Sequence, residues 1–347
     1  MLICLLLVSY NLQSQTVEEL WKIYNQGHYA EVLEKAAPLL KQKPDDIDLR
    51  LLLGRTYTEV ARYRDAIPHL EFVDQNDAQK TWRKAWGESY LGICYFGLGE
   101  YAKSRQFLDQ SIAINATENV VKFAAKRKAL FGFDDMYKAF KTEESEHITF
   151  HFHPAAVDSI GNTEAYINAR EKAYDNIQAF FSGKLPKKAD FFVWDSEASM
   201  KEILNSNAGF ARPEFCIVHC QYDQTPGHEL AHVISHYSDT ILVKTALINE
   251  GTAVFFDQTS RNRLDAARAA MKKSGLKQIS IQEMWDAQTT DSSILYPVSG
   301  AFIEYLIAEG GKENYLRLLK NQTYANAKTV YGDRLRRLVE GFEKLLK

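Results

Sequence analysis

The apolar positions between residues 16 and 140 recur at the spacing of amphipathic helices, and this pattern repeats along the chain. A Leu-Gly-x-x-Tyr pattern that begins at Leu53 returns at Leu91. Tyr24 precedes Tyr57, the tyrosine of the first of these patterns, by 33 positions. Regular self-similarity of this length is typical of stacked helical hairpins. The pattern predicts an all-α helical-repeat solenoid over residues 16–140.

This period resembles that of tetratricopeptide repeats, which is about 34 residues. The segment would hold two to three degenerate repeats, with about four residues inserted before the last one. Paired small residues would let the helices of each repeat nest, and stacking would bury a continuous apolar seam. The resemblance implies a groove for a protein partner. A rigid spacer that supports the rest of the chain is the alternative.

Beyond residue 145 the pattern changes to strands that alternate with helices. Three segments have the composition of strands: 147–153, Ala189–Trp194 and 214–222. Two segments predict long amphipathic helices: Thr163–Phe181 and, closing the chain, 331–346. The sequence therefore predicts an α+β protein, in which the solenoid is followed by a mixed α/β domain over residues 145–347.

Histidines occur at three alternate positions of the first strand candidate, His147, His151 and His153. Alternate side chains of a regular strand are about 6.6 Å apart, so three of them cannot close on one ion. We interpret them as ordinary strand residues.

A different histidine pattern, His228-Glu229-Leu230-Ala231-His232, follows the third strand candidate. On a helix, two histidines four positions apart lie on one face, where both can reach one Zn²⁺. A carboxylate from a second helix, Glu250, can supply a third ligand and leave the fourth position open for water, as a catalytic zinc site requires. Glu229 is then placed to accept a proton from that water. Small residues from Gly251 onward predict that the second helix approaches the first closely.

The motif and the following Glu250-Gly251-x-Ala253 resemble the gluzincin zinc peptidases, the group that includes thermolysin and the peptidase-MA-like families. This resemblance implies a zincin-like metallopeptidase domain over 145–347 that binds one Zn²⁺ per chain and hydrolyses a peptide or protein substrate. His228, His232 and Glu250 would be the metal ligands, and Glu229 the general base. The metzincin pattern, which needs a third histidine after a glycine, is absent.

Other residues near the motif are assigned less direct roles. His236 competes with Glu250 as third ligand, but three positions on one straight helix spread too far around one ion. Relatives tend to carry a tyrosine in this region, so Tyr296, at the start of a predicted helix, is the candidate for hydrogen-bonding the oxyanion. An ordinary tyrosine at a helix start is the alternative. Asn249 and Asp257 are candidates for holding the ligand histidines. The relatives also pair substrate with the last strand before the zinc helix, which implies that 216–220 is an exposed edge.

Charge and hydropathy exclude several classes of protein. The chain has 42 Lys and Arg residues against 45 Asp and Glu residues, a net charge of −3, so nucleic acid is not an expected partner. No stretch beyond the N-terminus is long and apolar enough to predict a transmembrane helix. Residues 1–15 resemble the apolar core and exit of a signal peptide, although no Lys or Arg precedes them. We therefore expect export to the periplasm or cell envelope; a buried first strand or helical turn is the alternative.

We expect the cysteines to pack among apolar residues rather than to form disulfides or bind metal. Cys94 falls in the helical repeats, where a small apolar residue is expected. Cys216 and Cys220 would point the same way from a strand but lie too far apart to form a disulfide. A metal cluster that they form with His219 is the less favoured alternative.

Together these patterns predict a zinc-dependent peptidase with Glu229 as general base. The alternative is a non-catalytic scaffold that binds proteins through its tetratricopeptide-like repeats and carries a silent peptidase-like domain.

Overall fold

The computed structural model describes residues 16–79, 81–238, 243–287 and 290–347, which divide into two compact units. One unit holds the described residues up to Asp134, and the other runs from Asp135 to Lys347. The candidate signal peptide, residues 1–15, lies outside the described residues. Within the described residues, no helix is long and apolar enough to cross a membrane.

The first unit is built from helices, each of which packs against the next. They are α1 (Val17–Asn25), α2 (Tyr29–Gln42), α3 (Ile47–Glu59), α4 (Tyr63–Asn76), α5 (Trp82–Gly97), α6 (Tyr101–Ile114) and α7 (Glu118–Leu130). Side chains cap the start of every odd-numbered helix: Thr16 caps α1, Asp46 α3, Thr81 α5 and Thr117 α7. Each side-chain oxygen accepts a hydrogen bond from a backbone N–H that the helix itself leaves unpaired.

Two helix pairs of this unit have the same kind of close contact, between a glycine and a leucine. A Cβ added at Gly54 of α3 would lie 2.4 Å from a methyl carbon of Leu70 on α4. A Cβ at Gly92 of α5 would lie 2.6 Å from Leu108 on α6. In both pairs the leucine follows the glycine by sixteen positions. The glycines of the repeated Leu-Gly-x-x-Tyr pattern are therefore equivalent positions of close approach between paired helices.

The second unit surrounds a five-stranded mixed sheet with helices, so the chain is an α+β protein. Its elements are β1 (Lys141–Glu144), β2 (Ile148–Phe152), α8 (Pro154–Ile160), α9 (Thr163–Phe181), β3 (Ala189–Trp194), α10 (Glu197–Leu204), β4 (Phe210–Arg212), β5 (Ile217–Gln221), α11 (His228–His236), α12 (Ala246–Phe255), α13 (Arg263–Lys273), α14 (Ile281–Asp286), α15 (Ser292–Gly310), α16 (Lys312–Leu319), α17 (Tyr324–Tyr331) and α18 (Arg334–Leu345).

The sheet has the order β1-β2-β3-β5-β4, with parallel pairing of β2, β3 and β5 and antiparallel strands at both edges. Strand β2 alternates as predicted, because Ile148, Phe150 and Phe152 are fully buried and the residues between them are half-buried. The buried face packs against α9 and α11, and this core continues under α12 and α15. Helix α11 is therefore the next helix after β5 and packs on the sheet.

The expectation that β5 is an exposed edge was wrong. Before β5 the chain forms the three-residue strand β4, which pairs antiparallel with it through Phe210 and His219, Ala211 and Val218, and Arg212 and Ile217. Both hydrogen-bonding sides of β5 are therefore occupied, by β3 and by β4. The edge on this side of the sheet is β4.

The expectation that Tyr296 begins a helix was also wrong. Asp291 caps α15 by accepting a hydrogen bond from the backbone N–H of Ser293, so the helix starts at Ser292. Tyr296 and Pro297 lie in its second turn. Pro297 therefore lies inside the helix, where its missing N–H removes one backbone hydrogen bond.

Candidate metal centre

Helix α11 starts at the first histidine of the motif because of two residues ahead of it. Pro226 disfavours the helical conformation for the residue before it, and Gly227 is the N-cap. A Cβ at Gly227 would lie 1.9 Å from the carbonyl oxygen of Phe256, so only glycine fits where α11 begins beside the end of α12. Leu230, Val233 and Ile234 bury the opposite face of the helix in the core. The histidine face of α11 is therefore fixed in rotation.

Helix α12 carries Glu250 and is held by α15. A Cβ at Gly251 would lie 2.8 Å from the carbonyl oxygen of Ser299, and a Cβ at Gly300 would lie 2.3 Å from Val254. The small residues after Glu250 thus permit close packing against α15, whereas we expected them to face α11. The consequence for the site is the same, because α12 also packs against α11.

His228, His232 and Glu250 converge on one point. Their nearest ligand atoms all lie within 4.8 Å of one another, and they form the group of described residues that could hold a metal ion. One oxygen, Oε2 of Glu250, lies 3.6 Å from Nε2 of His228 and 3.6 Å from Nε2 of His232. The side chains are partly buried, with exposures of 19%, 14% and 23%.

These separations fit a small metal ion. In a tetrahedral site with metal–nitrogen distances near 2.0–2.1 Å, neighbouring ligand atoms lie about 3.4 Å apart. The observed nitrogen–oxygen separations of 3.6 Å are close to that value. Two imidazoles and one carboxylate are also a ligand set that suits zinc and leaves a coordination position for another molecule.

Each ligand histidine has a polar neighbour at its other nitrogen. Nδ1 of His228 lies 3.5 Å from a carboxylate oxygen of Asp257, which also accepts a 2.5 Å hydrogen bond from the hydroxyl of Thr225. Nδ1 of His232 lies 3.4 Å from the side-chain nitrogen of Asn249, which also donates to Glu250. A carboxylate such as that of Asp257 can accept the free N–H of a metal-binding imidazole and fix its orientation, whereas an amide nitrogen only donates. Asp257 therefore lies where such an acceptor was expected, and Asn249 contacts His232 without filling that role.

The electrostatics of the centre favour a cation. Burial opposes a charge on His228, but hydrogen bonds to Asp257 and Glu250 outweigh it and raise its pKa to about 10. Burial would raise the pKa of Glu250, but hydrogen bonds from the two histidines hold it well below its usual range. The carboxylates that stabilise the proton on His228 would also stabilise a bound divalent ion. Binding of that ion must displace the proton.

Glu229 lies beside the centre and is not part of the ligand group. Its side chain is buried, and burial raises its pKa, as do the charges of Glu250 and Asp257, while the two histidines oppose this shift. A raised pKa brings a carboxylate closer to the value that suits a general base near neutral pH. Glu229 also lines two cavities, which meet at the centre.

Tyr296 is at the centre as well. Its ring meets that of His228 edge-on, with 5.8 Å between the ring centroids, and 41% of the residue is exposed. Burial of the hydroxyl raises its pKa, with contributions from Glu250 and Glu229. Tyr296 therefore keeps its proton at neutral pH and can donate it in a hydrogen bond.

Two cavities meet at these residues. The β4-side cavity, about 370 Å³, is lined by β4 and by His232, Lys244 and Glu250. The Asp257-side cavity, about 570 Å³, is lined by Thr225, Asp257 and the start of α13. His228, Glu229 and Tyr296 line both. Both volumes fall within the roughly 300–1,000 Å³ of ordinary ligand pockets.

The other candidates lie elsewhere. His236 is absent from the ligand group; burial and the charge of Lys244 lower its pKa. The buried His219 packs between the rings of Phe192 and Phe210 and accepts a hydrogen bond from Trp194. Cys94, Cys216 and Cys220 are free and buried, and burial raises the pKa of each thiol. The cysteines and His219 therefore contribute to packing.

The sequence did not indicate two cations near the centre, Arg212 and Lys244. Arg212 ends a strand too short to show periodicity, and Lys244 lies in the connection before α12. Only the fold brings them to the same cavity. No protein-family model matches the chain.

Proposed function

We propose that the second unit is a zinc-dependent peptidase of the gluzincin, peptidase-MA-like type. The observation that supports this most strongly is the approach of one oxygen of Glu250 to both histidines of His228-Glu229-x-x-His232. A structural zinc site would need a fourth protein ligand, and none is present among the described residues that form this group. The arrangement suits an ion with an open position.

When bound, zinc would lower the pKa of a water molecule and polarise the substrate carbonyl. Glu229 then accepts the proton of the attacking water and returns it to the leaving amine. Its burial and its position between the two cavities support this role. Asp257 lies beside Nδ1 of His228 and orients this imidazole.

Tyr296 donates its hydroxyl proton in a hydrogen bond to the oxygen that gains negative charge during attack. Donors placed in advance at such an oxygen stabilise the transition state. Its place in both cavities and its ring contact with His228 support this role.

An extended peptide pairs with the outer edge of β4. Phe210, Ala211 and Arg212 line the cavity that holds the metal-ligand side chains. Their pairing with β5 uses one side of the strand. The other side is available to hydrogen-bond a substrate backbone, as in other proteins that add a strand at a sheet edge.

The first unit is proposed to be a tetratricopeptide-like solenoid that recruits a protein partner. The equivalent glycine–leucine contacts of α3 with α4 and of α5 with α6 support a repeat.

The second candidate function is a protein-binding scaffold with a silent peptidase domain, and it rests on the same repeated helix contacts. The buried carboxylate of Glu229 favours the enzyme, because a scaffold does not need a charged group beside the metal ligands.

The test is the metal content of the purified full-length chain together with hydrolysis of a mixed peptide library, with and without a chelator. We expect about one zinc per chain and chelator-sensitive cleavage. Glu229→Gln should keep the zinc and lower hydrolysis by about 10²–10⁴-fold, because the general base is lost. Glu202→Gln, an exposed position on α10, is the matched control.

Absence of metal after reconstitution would overturn the proposal, and so would full activity of Glu229→Gln. Bound zinc without cleavage of any peptide would favour the scaffold.

A further inference from the structure

The two cavities beside the metal centre each contain two cations. Arg261 and Arg263 line the Asp257-side cavity. Arg212 and Lys244 line the β4-side cavity. The cavities differ in one respect: among the described residues, the protein holds one cation of the first cavity, Arg263, in an ion pair and neither cation of the second.

Arg263 is fixed within the protein. Its guanidinium pairs with Glu304 at 2.9 Å and donates to the backbone carbonyls of Val254, Phe255 and Asp257. These bonds join α13 to the end of α12 and to α15. Arg263 therefore has a structural role and little capacity left for a ligand.

The cations of the β4-side cavity are not fixed in this way. Among the described residues, neither Lys244 nor Arg212 has a carboxylate within ion-pair distance. The guanidinium of Arg212 lies 5.6 Å from the ring centroid of Phe210, a contact that leaves its donors available. Both side chains are exposed.

Lys244 is close to the metal centre. Although Lys244 is exposed as a residue, the protein around its ammonium group partly desolvates it and lowers its pKa, and the negative charges of Glu214 and Glu250 oppose that shift. Glu250 is itself engaged by the two histidines. The ammonium group therefore lies in the field of the metal-ligand carboxylate while its own hydrogen bonds are left for another partner.

We propose that Lys244 and Arg212 bind a carboxylate of the substrate in the β4-side cavity. This inference rests on the proposed peptidase function and narrows its substrate class. The carboxylate belongs either to an acidic side chain next to the cleaved bond or to the free C-terminus of the substrate. In both cases the cations hold the negative group, and the bond to be cleaved extends towards Glu229 and Tyr296.

The experiment compares three peptides of one sequence in the full-length zinc enzyme. One has a Glu near the cleaved bond and an amidated C-terminus, one has Gln instead and is amidated, and one has Gln and a free C-terminus. We expect the favoured carboxylate peptide to exceed the neutral one in kcat/KM by about five- to tenfold, the range between an exposed ion pair and a charge-assisted hydrogen bond. Preference for the first identifies a side chain, and preference for the third identifies the chain terminus.

Variants of Lys244 test the residue itself. Lys244→Gln should remove most of the preference, Lys244→Arg should retain it, and Lys244→Glu should favour a peptide with Lys in place of Glu. Lys201→Gln, on the exposed face of α10, makes the same charge change away from both cavities and should leave the preference intact. Arg212→Gln combined with Lys244→Gln should abolish it.

Binding gives a second readout that does not need turnover. Anisotropy of the labelled peptides with Glu229→Gln enzyme should show the same order of affinities. Equal kcat/KM for all three peptides, or a preference that survives the double substitution, would overturn the inference while leaving the peptidase proposal in place. Cleavage of no peptide, combined with equal binding of all three, would overturn both.

Discussion

The second unit contains two sets of histidines next to carboxylates, and the two sets are built differently. Along β2 and at its two ends, each histidine has its own carboxylate: His147 has Glu171 at 2.8 Å, His151 has Asp190 at 3.1 Å and His153 has Asp195 at 3.1 Å. On α11, two histidines share one oxygen of Glu250. The same chemical groups therefore form separate ion pairs in one region and a candidate metal centre in the other.

Backbone geometry explains the difference. Four positions along a helix bring His228 and His232 to one face, with 5.2 Å between their ring centroids. Alternate positions of a strand are about 6.6 Å apart, and aromatic neighbours fill the space around each ring. His151 stacks on Phe192 with 4.4 Å between ring centroids, and His147 stacks on Tyr174 at 4.2 Å. Convergence on a shared acceptor, rather than the number of histidines, marks the candidate metal centre.

The largest effect that this comparison predicts concerns the two kinds of carboxylate. Glu250→Ala removes the oxygen shared by both histidines, so zinc affinity should fall by more than the roughly 10–100-fold cost of losing an outer partner. Asp195→Ala removes a carboxylate that serves one sheet histidine, and the zinc affinity should stay unchanged. Competition with a chromophoric chelator measures both. Equal zinc affinities for the two variants would mean that the shared oxygen is not a ligand.

A smaller effect is expected from the partner of His228. Asp257→Asn weakens the group that orients this imidazole, and zinc affinity should fall by about tenfold. Asp223→Asn is the matched control, because Asp223 is exposed in the same cavity and contacts no ligand histidine among the described residues. The same chelator competition applies. If Asp257→Asn leaves the zinc affinity unchanged, the contact between Asp257 and Nδ1 of His228, which are 3.5 Å apart, does not contribute to metal binding.

The elements that the sequence predicted well have a strong local signal. The helix over Thr163–Phe181 and the strand over Ala189–Trp194 have the predicted bounds, and the closing helix lies at Arg334–Leu345. His228, His232 and Glu250 also lie close together as the motif led us to expect, because a helix places the two histidines on one face.

The elements that the sequence missed depend on distant partners. Strand β4 has three residues and exists because β5 offers it an unpaired edge. The predicted start of α15 is too late because Asp291 caps the helix ahead of the apolar run. Arg212 and Lys244 reach one cavity only through the path of β4 and the connection before α12. Local periodicity does not predict these contacts, because each depends on packing between segments far apart in sequence.

The smallest expected effect is a pH-dependent change in the free energy of unfolding. It distinguishes histidines with a structural role from those at the candidate metal centre. Burial would raise the pKa of Asp190, but hydrogen bonds from His151 and Lys187 lower it below its usual value. A carboxylate with a lowered folded-state pKa stabilises the protein fully above its unfolded pKa of about 3.9 and loses this contribution as the pH falls through the folded value. Asp190→Asn should therefore lower the free energy of unfolding by about 1–3 kcal/mol at pH 7.

This difference from the wild-type chain should shrink below about pH 4, where the wild-type carboxylate also becomes neutral. Denaturant unfolding at several pH values measures it, with Asp158→Asn, exposed on α8, as the control. The zinc content of Asp190→Asn should equal that of the wild type, because His151 has a structural partner rather than a shared ligand. Loss of zinc with unchanged stability would place the sheet histidines in the metal centre and end the distinction between the two sets.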